Sequence, residues 1–332
     1  LFLSMLREQS AANPARMRAA LAGLRKYQEA GRAPAPAPMP ALAEAYGATL
    51  RDYGGAGPSV LFVPSLINPP NVLDMGERSL LRWLSARGRR VLLLDWGWPG
   101  PDRRAMSVAG HVERILLPLM AQLGEPADLV GYCLGGTMAL AAAQSGPARS
   151  VATIAAPWHF AGFPEGARAD LARLWAGAQG TVGALGLLPM EVLQCAFWSL
   201  DPARTIAKFE AFAALEGAEA ETFVMLEDWA NDGPPLAEAA AREMFEGLFR
   251  DDLPGAGRWR VAGEAIAPES LRIPLLNIVS TTDRIVPAAT AVRAGERLDL
   301  ALGHVGMVVG RQARAMLWES LEGWLSRTAA NC

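Results

Sequence analysis

Cysteine and histidine are scarce in this 332-residue chain, with three of each, at Cys133, Cys195 and Cys332 and at His111, His159 and His304. The odd cysteine count without a C-x-x-C pair argues against a disulfide framework, and the wide histidine spacing leaves no Cys/His zinc pattern. No metal site and no organic cofactor is read from the sequence. Neither sign of charge dominates, since 31 Lys+Arg against 34 Asp+Glu give a formal net charge of -3. A polybasic patch that holds nucleic acid by counterion release is therefore not expected. Long apolar runs are missing as well: Val60 to Ile67 and Met138 to Ala143 fall well short of the roughly 18 residues of a membrane-spanning helix. No charged start, apolar core and cleavage site open the chain, and because Leu1 stands first no weight is placed on the first few positions. The expectation is a cytoplasmic, reduced protein with no membrane span and no nucleic-acid partner.

What is plentiful is apolar side chain, 51% of the residues, which is too much for a disordered chain. It suffices for a large core in one domain, or one domain with an insertion. Residues 5 to 30 are rich in Ala, Leu, Arg and Glu with a break near Asn13-Pro14, and they read as surface helices. An alternating Ala/Pro run from Gly31 to Pro40 follows and reads as a stiff extended linker, so residues 1–40 form an amino-terminal segment. Past Ala41 the pattern changes to short apolar runs at Val60–Val63, Val91–Leu94, Asp128–Tyr132 and Val151–Ile154. They alternate with helical stretches at Glu77–Arg87, Ser107–Leu123 and Gly135–Gln144. Runs apolar on both faces, separated by crossover-length helices, indicate a doubly wound α/β sheet, mostly parallel. Strands at Pro274–Val279 and Leu298–Leu302 and a helix from about Arg311 to Ser326 resume that pattern. The core is thus expected over 41–157 and 273–328. The helical, aromatic-bearing stretch 158–272 is expected as a cap over the carboxyl edge of the sheet, with its aromatics serving mainly as cap core.

Gly131-Tyr132-Cys133-Leu134-Gly135-Gly136 follows an expected strand and opens an expected helix. In that context G-x-nucleophile-x-G describes a tight turn that lifts the middle side chain out of the backbone. Cys133 then stands at a helix amino terminus, which favours its thiolate, and the Leu134 amide can donate to an oxyanion. An isolated box would equally describe a buried cysteine among glycines that permit close packing; the strand before and the helix after select the nucleophile. A nucleophile of this kind needs a base and a group that orients the base, in the order nucleophile, acid, histidine. Asp283 lies 150 residues on (283 − 133) in Thr282-Asp283-Arg284-Ile285-Val286-Pro287, just past a strand, and His304 lies 21 further (304 − 283) in Gly303-His304-Val305-Gly306. Both follow strands, so all three can meet at one sheet edge. His111 reads as a surface or helix-packing residue, His159 as a candidate for the site entrance, and Cys195 and Cys332 as bystanders.

These residues resemble a known family, the polyhydroxyalkanoate synthases, most closely the short class III catalytic subunits. The cysteine box matches their G-x-C-x-G-G pattern. Pro64-Ser65-Leu66-Ile67-Asn68, Val72-Leu73-Asp74-Met75, Asp95-Trp96-Gly97-Trp98-Pro99 and Leu226-Glu227-Asp228-Trp229-Ala230-Asn231-Asp232 are similar to further family segments, in order, between about Val60 and Leu325. Dienelactone hydrolases carry nearly the same box but are shorter and lack such a cap. The chain departs from the family at Arg284 and at Pro157-Trp158-His159-Phe160. The resemblance implies an α/β-hydrolase fold with a helical cap, Cys133 as acyl carrier, His304 as general base and Asp283 as its partner. It further implies an oxyanion hole from the amides of Leu134, Leu66 and Ile67, with Trp229 and Asp232 near the nucleophile. The activity implied is polymerisation of 3-hydroxyacyl-coenzyme A with release of coenzyme A, without a cofactor. The implied partners are the growing polyester and either a second copy or a separate non-catalytic subunit, with the enzyme located at a granule surface. The same residues also fit a cysteine-dependent esterase, acyl-coenzyme A thioesterase or polyester depolymerase, and the fold alone would fit a non-catalytic granule partner.

Overall fold

A computed structural model describes residues 2–32 and 36–330. Positions 33–35 of the Ala/Pro run, and Cys332, lie outside the described residues. Eight strands make one sheet: β1 (Ala41–Ala45), β2 (Ala48–Asp52), β3 (Ser59–Val63), β4 (Arg90–Asp95), β5 (Ala127–Tyr132), β6 (Ala148–Ile154), β7 (Leu275–Ser280) and β8 (Glu296–Leu300). Their order across the sheet is β1-β2-β4-β3-β5-β6-β7-β8. The pairs from β4 to β8 are parallel, whereas β2 runs antiparallel to both β1 and β4. The doubly wound reading therefore holds, with one hairpin added at an edge. That hairpin, β1 to β2, turns at Tyr46-Gly47, both at positive φ (51° and 76°), the geometry of a two-residue turn matched to strand twist.

Every residue of β3, β5 and β7 is buried, as befits strands covered on both faces. Each fully buried Val, Leu or Phe here contributes roughly 1.5–3 kcal/mol relative to exposure. Two of the crossover helices start at side-chain caps: Ser79 Oγ accepts from the Arg82 amide at 3.0 Å, and Ser107 Oγ from the Gly110 amide at 3.0 Å. Among the described residues no helix is long and apolar enough to cross a membrane.

The chain divides into two compact units, one made of Leu1–Ala37 with Met190–Gly233 and the other of Pro38–Pro189 with Pro234–Cys332. In the first, helices Phe2–Ser10 and Pro14–Glu29 are separated by Asn13, whose side chain caps the second helix. They are more than surface helices: Met5, Leu6 and Ala20 are buried together with Ile206, and Phe2 packs edge-on against Trp198 and Phe209. Gly23 lets the helix approach the Phe209 carbonyl so closely that a Cβ would stand 1.8 Å from its oxygen. Arg16 pairs with Glu210, and the Tyr27 hydroxyl donates to Asp228 at 2.6 Å. The second unit holds the sheet and the helix Glu165–Leu185, where Trp175 stacks on Phe245 with ring centres 5.2 Å apart.

Candidate active site

Strand β5 ends at Tyr132, and the helix Leu134–Ser145 begins one residue after Cys133. Cys133 is forced to φ 54°, a region that costs a non-glycine residue of order 1–3 kcal/mol. Its amide donates to the Ile154 carbonyl at 3.0 Å, and its own carbonyl accepts from Gly136 at 2.9 Å, so the turn is fastened on both sides. The glycines around it are set by space. A Cβ on Gly136 would lie 2.3 Å from the Ala156 Cβ, and one on Gly135 would lie 2.0 Å from the Val63 oxygen and 2.5 Å from that of Pro64. The helix amino terminus is thereby pressed against the end of β3 and the loop Ser65–Ile67 that follows it.

Three of the residues singled out by sequence come together. His304 Nδ1 is 2.6 Å from Asp283 Oδ2, with the Asp283 side chain fully buried. The other carboxylate oxygen, Asp283 Oδ1, accepts from the amides of Ile285 at 2.7 Å and Val286 at 3.1 Å, which fixes the orientation of the group. Burial pushes the His304 imidazolium down, but its electrostatic interaction with Cys133 and its hydrogen bond to Asp283 outweigh that and raise its pKa to about 10. The arrangement can hold an imidazolium between a thiolate at a helix amino terminus and a carboxylate.

The amides of Leu66 and Leu134 have no acceptor among the described residues, and they belong to the two segments that Gly135 brings into contact. The Ile67 amide is occupied, donating to Ser65 Oγ at 3.2 Å. His159 is half-buried; its amide donates to the Thr290 carbonyl at 2.9 Å, and its Nε2 is shielded with no partner among the described residues. Burial, then Arg293, lowers its pKa. No hydrogen bond joins it to Cys133, Asp283 or His304 among the described residues. Trp229 is buried on the helix Gly217–Asn231, and Asp232 is the residue that ends that helix, accepting from the Gly233 amide at 2.8 Å. Both belong to the first unit. His111 is buried rather than on the surface: its Nδ1 lies 2.7 Å from the Ser107 carbonyl, and burial lowers its pKa to about 4.

Sequence reasoning assigns no role to Tyr132, although it stands beside Cys133. Its hydroxyl donates to the His304 carbonyl at 3.3 Å, and its ring lies 5.0 Å from the imidazole. Burial, with Cys133 and Asp283 adding to it, holds the phenol neutral. Arg103 and Trp96 likewise escape a reading of the sequence for site residues. Trp96 Nε1 donates to the Pro64 carbonyl at 3.0 Å, and the buried Arg103 donates to the Trp96 carbonyl at 2.5 Å. The Asp95–Pro99 segment singled out by sequence contains Trp96, whereas Arg103 lies beyond it.

A family model described as the α/β hydrolase fold matches residues 58–305. The chain is 25% identical over 293 residues to a poly(3-hydroxyalkanoate) polymerase subunit PhaC of Haloferax mediterranei, covering 80% of this chain and 58% of that protein. It is 26% identical over 293 residues to the subunit of the same name from Allochromatium vinosum, covering 80% of each. The chain thus spans less than two thirds of the length of the haloarchaeal relative. Among solved structures, a thermophilic esterase from Thermogutta terrifontis shares the fold with a TM-score of 0.52 at 16% identity, covering 85% of this chain and 93% of that one.

Proposed function

The chain belongs to the α/β-hydrolase fold family, and on that premise we propose that it moves 3-hydroxyacyl groups from coenzyme A thioesters, through a thioester on Cys133, to the hydroxyl end of a growing polyester. The observation that carries this reading is the side-chain series Cys133, His304 and Asp283 at the carboxyl edge of the sheet. Similarity to the poly(3-hydroxyalkanoate) polymerase subunits over 80% of the chain supports the acyl group and the acceptor.

In the first half-reaction the Cys133 thiolate attacks the thioester carbonyl, and the oxyanion is received by the amides of Leu134 and Leu66. Coenzyme A leaves as its thiolate and takes the proton held by His304. One thioester replaces another at nearly equal free energy, so the enzyme stays loaded. Acylation also removes the negative charge at Cys133 that contributes most to raising the His304 pKa. The imidazole then holds a proton less tightly and, having given its own to coenzyme A, can take the proton of the incoming hydroxyl. That hydroxyl attacks the Cys133 thioester, the ester forms, and the thiolate and imidazolium are restored together.

Incubation with 3-hydroxybutyryl-coenzyme A, following thiol release and separating insoluble polyester from free acid, tests the proposal. Polymer with thiol release is the expected result. Thiol release with only free acid would replace it by a thioesterase using the same three residues.

A further inference from the structure

Apart from the site above, the sheet-bearing unit carries a groove of about 450 Å³ between the start of helix Leu80–Ser85 and the segment Gly310–Trp318. Its walls present Arg78, Arg82, Arg311 and Arg314 over two tryptophans, Trp83 and Trp318, whose rings lie 5.8 Å apart. Glu77 is also in the lining; Asp74 holds Arg82 at 2.7 Å, and Glu319 stands 3.9 Å from Arg314. Arg87 lies over the Trp83 ring at 3.9 Å. Arg82 and Arg314 thus each have a carboxylate neighbour, and Arg311 is engaged as well. Arg78 donates to the Val309 carbonyl at 3.4 Å and has no carboxylate partner among the described residues. The Trp83 Nε1 is shielded and has no acceptor among them either.

The one hydroxyl in the lining, Ser79 Oγ, is held as the cap of helix Leu80–Ser85 with no hydrogen bond to a base among the described residues, so the chemistry of the groove is recognition. Guanidinium forks match phosphate oxygens, and indole or guanidinium planes accept a flat heterocycle. A free phosphate or a lipid headgroup would use the arginines alone; a phosphorylated purine nucleotide would use both components. The groove is also tied to the reacting residues. The short helix Gly306–Val309 links His304 to Gly310 across six residues (310 − 304), a span of at most about 21 Å even if extended. The same helix supplies the carbonyls that receive Arg78 and the Trp318 indole, the latter at 2.9 Å. The groove wall and His304 are therefore joined through one short helix.

We infer that this groove seats the phosphorylated adenosine end of the coenzyme A thioester, leaving the pantetheine arm to reach Cys133. This assignment rests on the coenzyme A reading above. Its test does not need turnover: the full chain is titrated with adenosine 3′,5′-bisphosphate, inorganic phosphate and phosphatidylglycerol vesicles, following tryptophan fluorescence. Saturable quenching by the bisphosphate is expected, about tenfold weaker in Arg78→Gln and in the more exposed Arg314→Gln, and weaker in both as salt rises. Where thioesters are turned over, kcat/KM for the coenzyme A thioester relative to the N-acetylcysteamine thioester should also fall about tenfold in either variant. Absence of bisphosphate binding, binding undiminished in both variants, equal affinity for inorganic phosphate, or response to vesicles alone would each overturn the assignment. Bisphosphate binding with no thioester turnover would uphold the groove and remove the proposed activity instead.

Discussion

Asp283 divides its carboxylate between two tasks: Oδ2 meets His304 Nδ1 at 2.6 Å, while Oδ1 is held by the Ile285 and Val286 amides. Asp283→Asn separates those tasks. The amide oxygen of asparagine can keep the two backbone bonds, so the loop should fold unchanged, while the charge that steadies the imidazolium is lost. A fall in kcat of about three orders of magnitude is expected with an unaltered melting temperature. Stopped acylation measured as thiol release, beside a thermal melt, checks both halves.

The raised pKa of His304 fixes the sign of a pH effect. Its folded value is about 10, above the ordinary value of 6.5, so protonation stabilises the folded state fully below about 6.5 and the contribution is lost as pH rises towards 10. Removing the Cys133 charge removes the largest of the raising influences. In Cys133→Ala the imidazole should titrate at lower pH than in the parent, read from its ring proton resonances, and the loss of stability between pH 6.5 and 10 should shrink. An unchanged imidazole titration would remove the coupling on which the two half-reactions depend.

Trp96 and Arg103 stand at one remove from Cys133. Arg103 holds the Trp96 carbonyl, Trp96 holds the Pro64 carbonyl, and Pro64 is in backbone contact with Gly135 at the start of the nucleophile helix. Burial lowers the pKa of Arg103, and its Nε has no acceptor among the described residues, so a costly charge is retained at this place. The loop that it steadies carries the Leu66 amide. Trp96→Phe keeps the packing and deletes the Nε1 donor; kcat should drop about tenfold or more with little change in KM, as for a displaced oxyanion donor. A change confined to KM would make the indole bond a matter of substrate binding.

How far the sequence can be read depends on where the controlling contacts lie. The strands from β3 to β7 are legible because both faces are buried along β3, β5 and β7 and the apolar runs are continuous, whereas β8 (Glu296–Leu300) is mostly exposed and starts two residues ahead of the expected Leu298–Leu302. Cys133, Asp283 and His304 are legible because each directly follows or closely succeeds a core strand, and topology alone carries such residues to one edge. The β1–β2 hairpin is not, since Ala41–Ala45 has little of the β-branched and aromatic character that marks a strand and is organised by its pairing with β2 and the Tyr46-Gly47 turn. The burial of Met5 and Leu6 depends on Ile206, far along the chain, a contact that no local pattern encodes. Occupation of the Ile67 amide by Ser65 and the Arg103–Trp96–Pro64 series are likewise local geometries that residue types leave open.

Glycines offer a final contrast between conformation, space and function. Gly135 has no room for a side chain: a Cβ would meet backbone oxygens of Val63 and Pro64 at 2.0 and 2.5 Å, and those atoms cannot move without shifting β3 or the Ser65–Ile67 loop. Gly135→Ala should therefore cost about 3 kcal/mol or more and depress acylation in whatever fraction folds, because the Leu66 amide moves with the loop. Gly177 sits inside the helix Glu165–Leu185, where a methyl group would have nothing within 4 Å. There alanine relieves backbone entropy alone, and a stabilisation of about 0.5–1 kcal/mol is expected with activity retained. Denaturant melts of the two variants, each paired with a thiol-release assay, set these opposite signs against each other; equal stability of Gly135→Ala and the parent would mean that the nucleophile helix does not press on the end of β3.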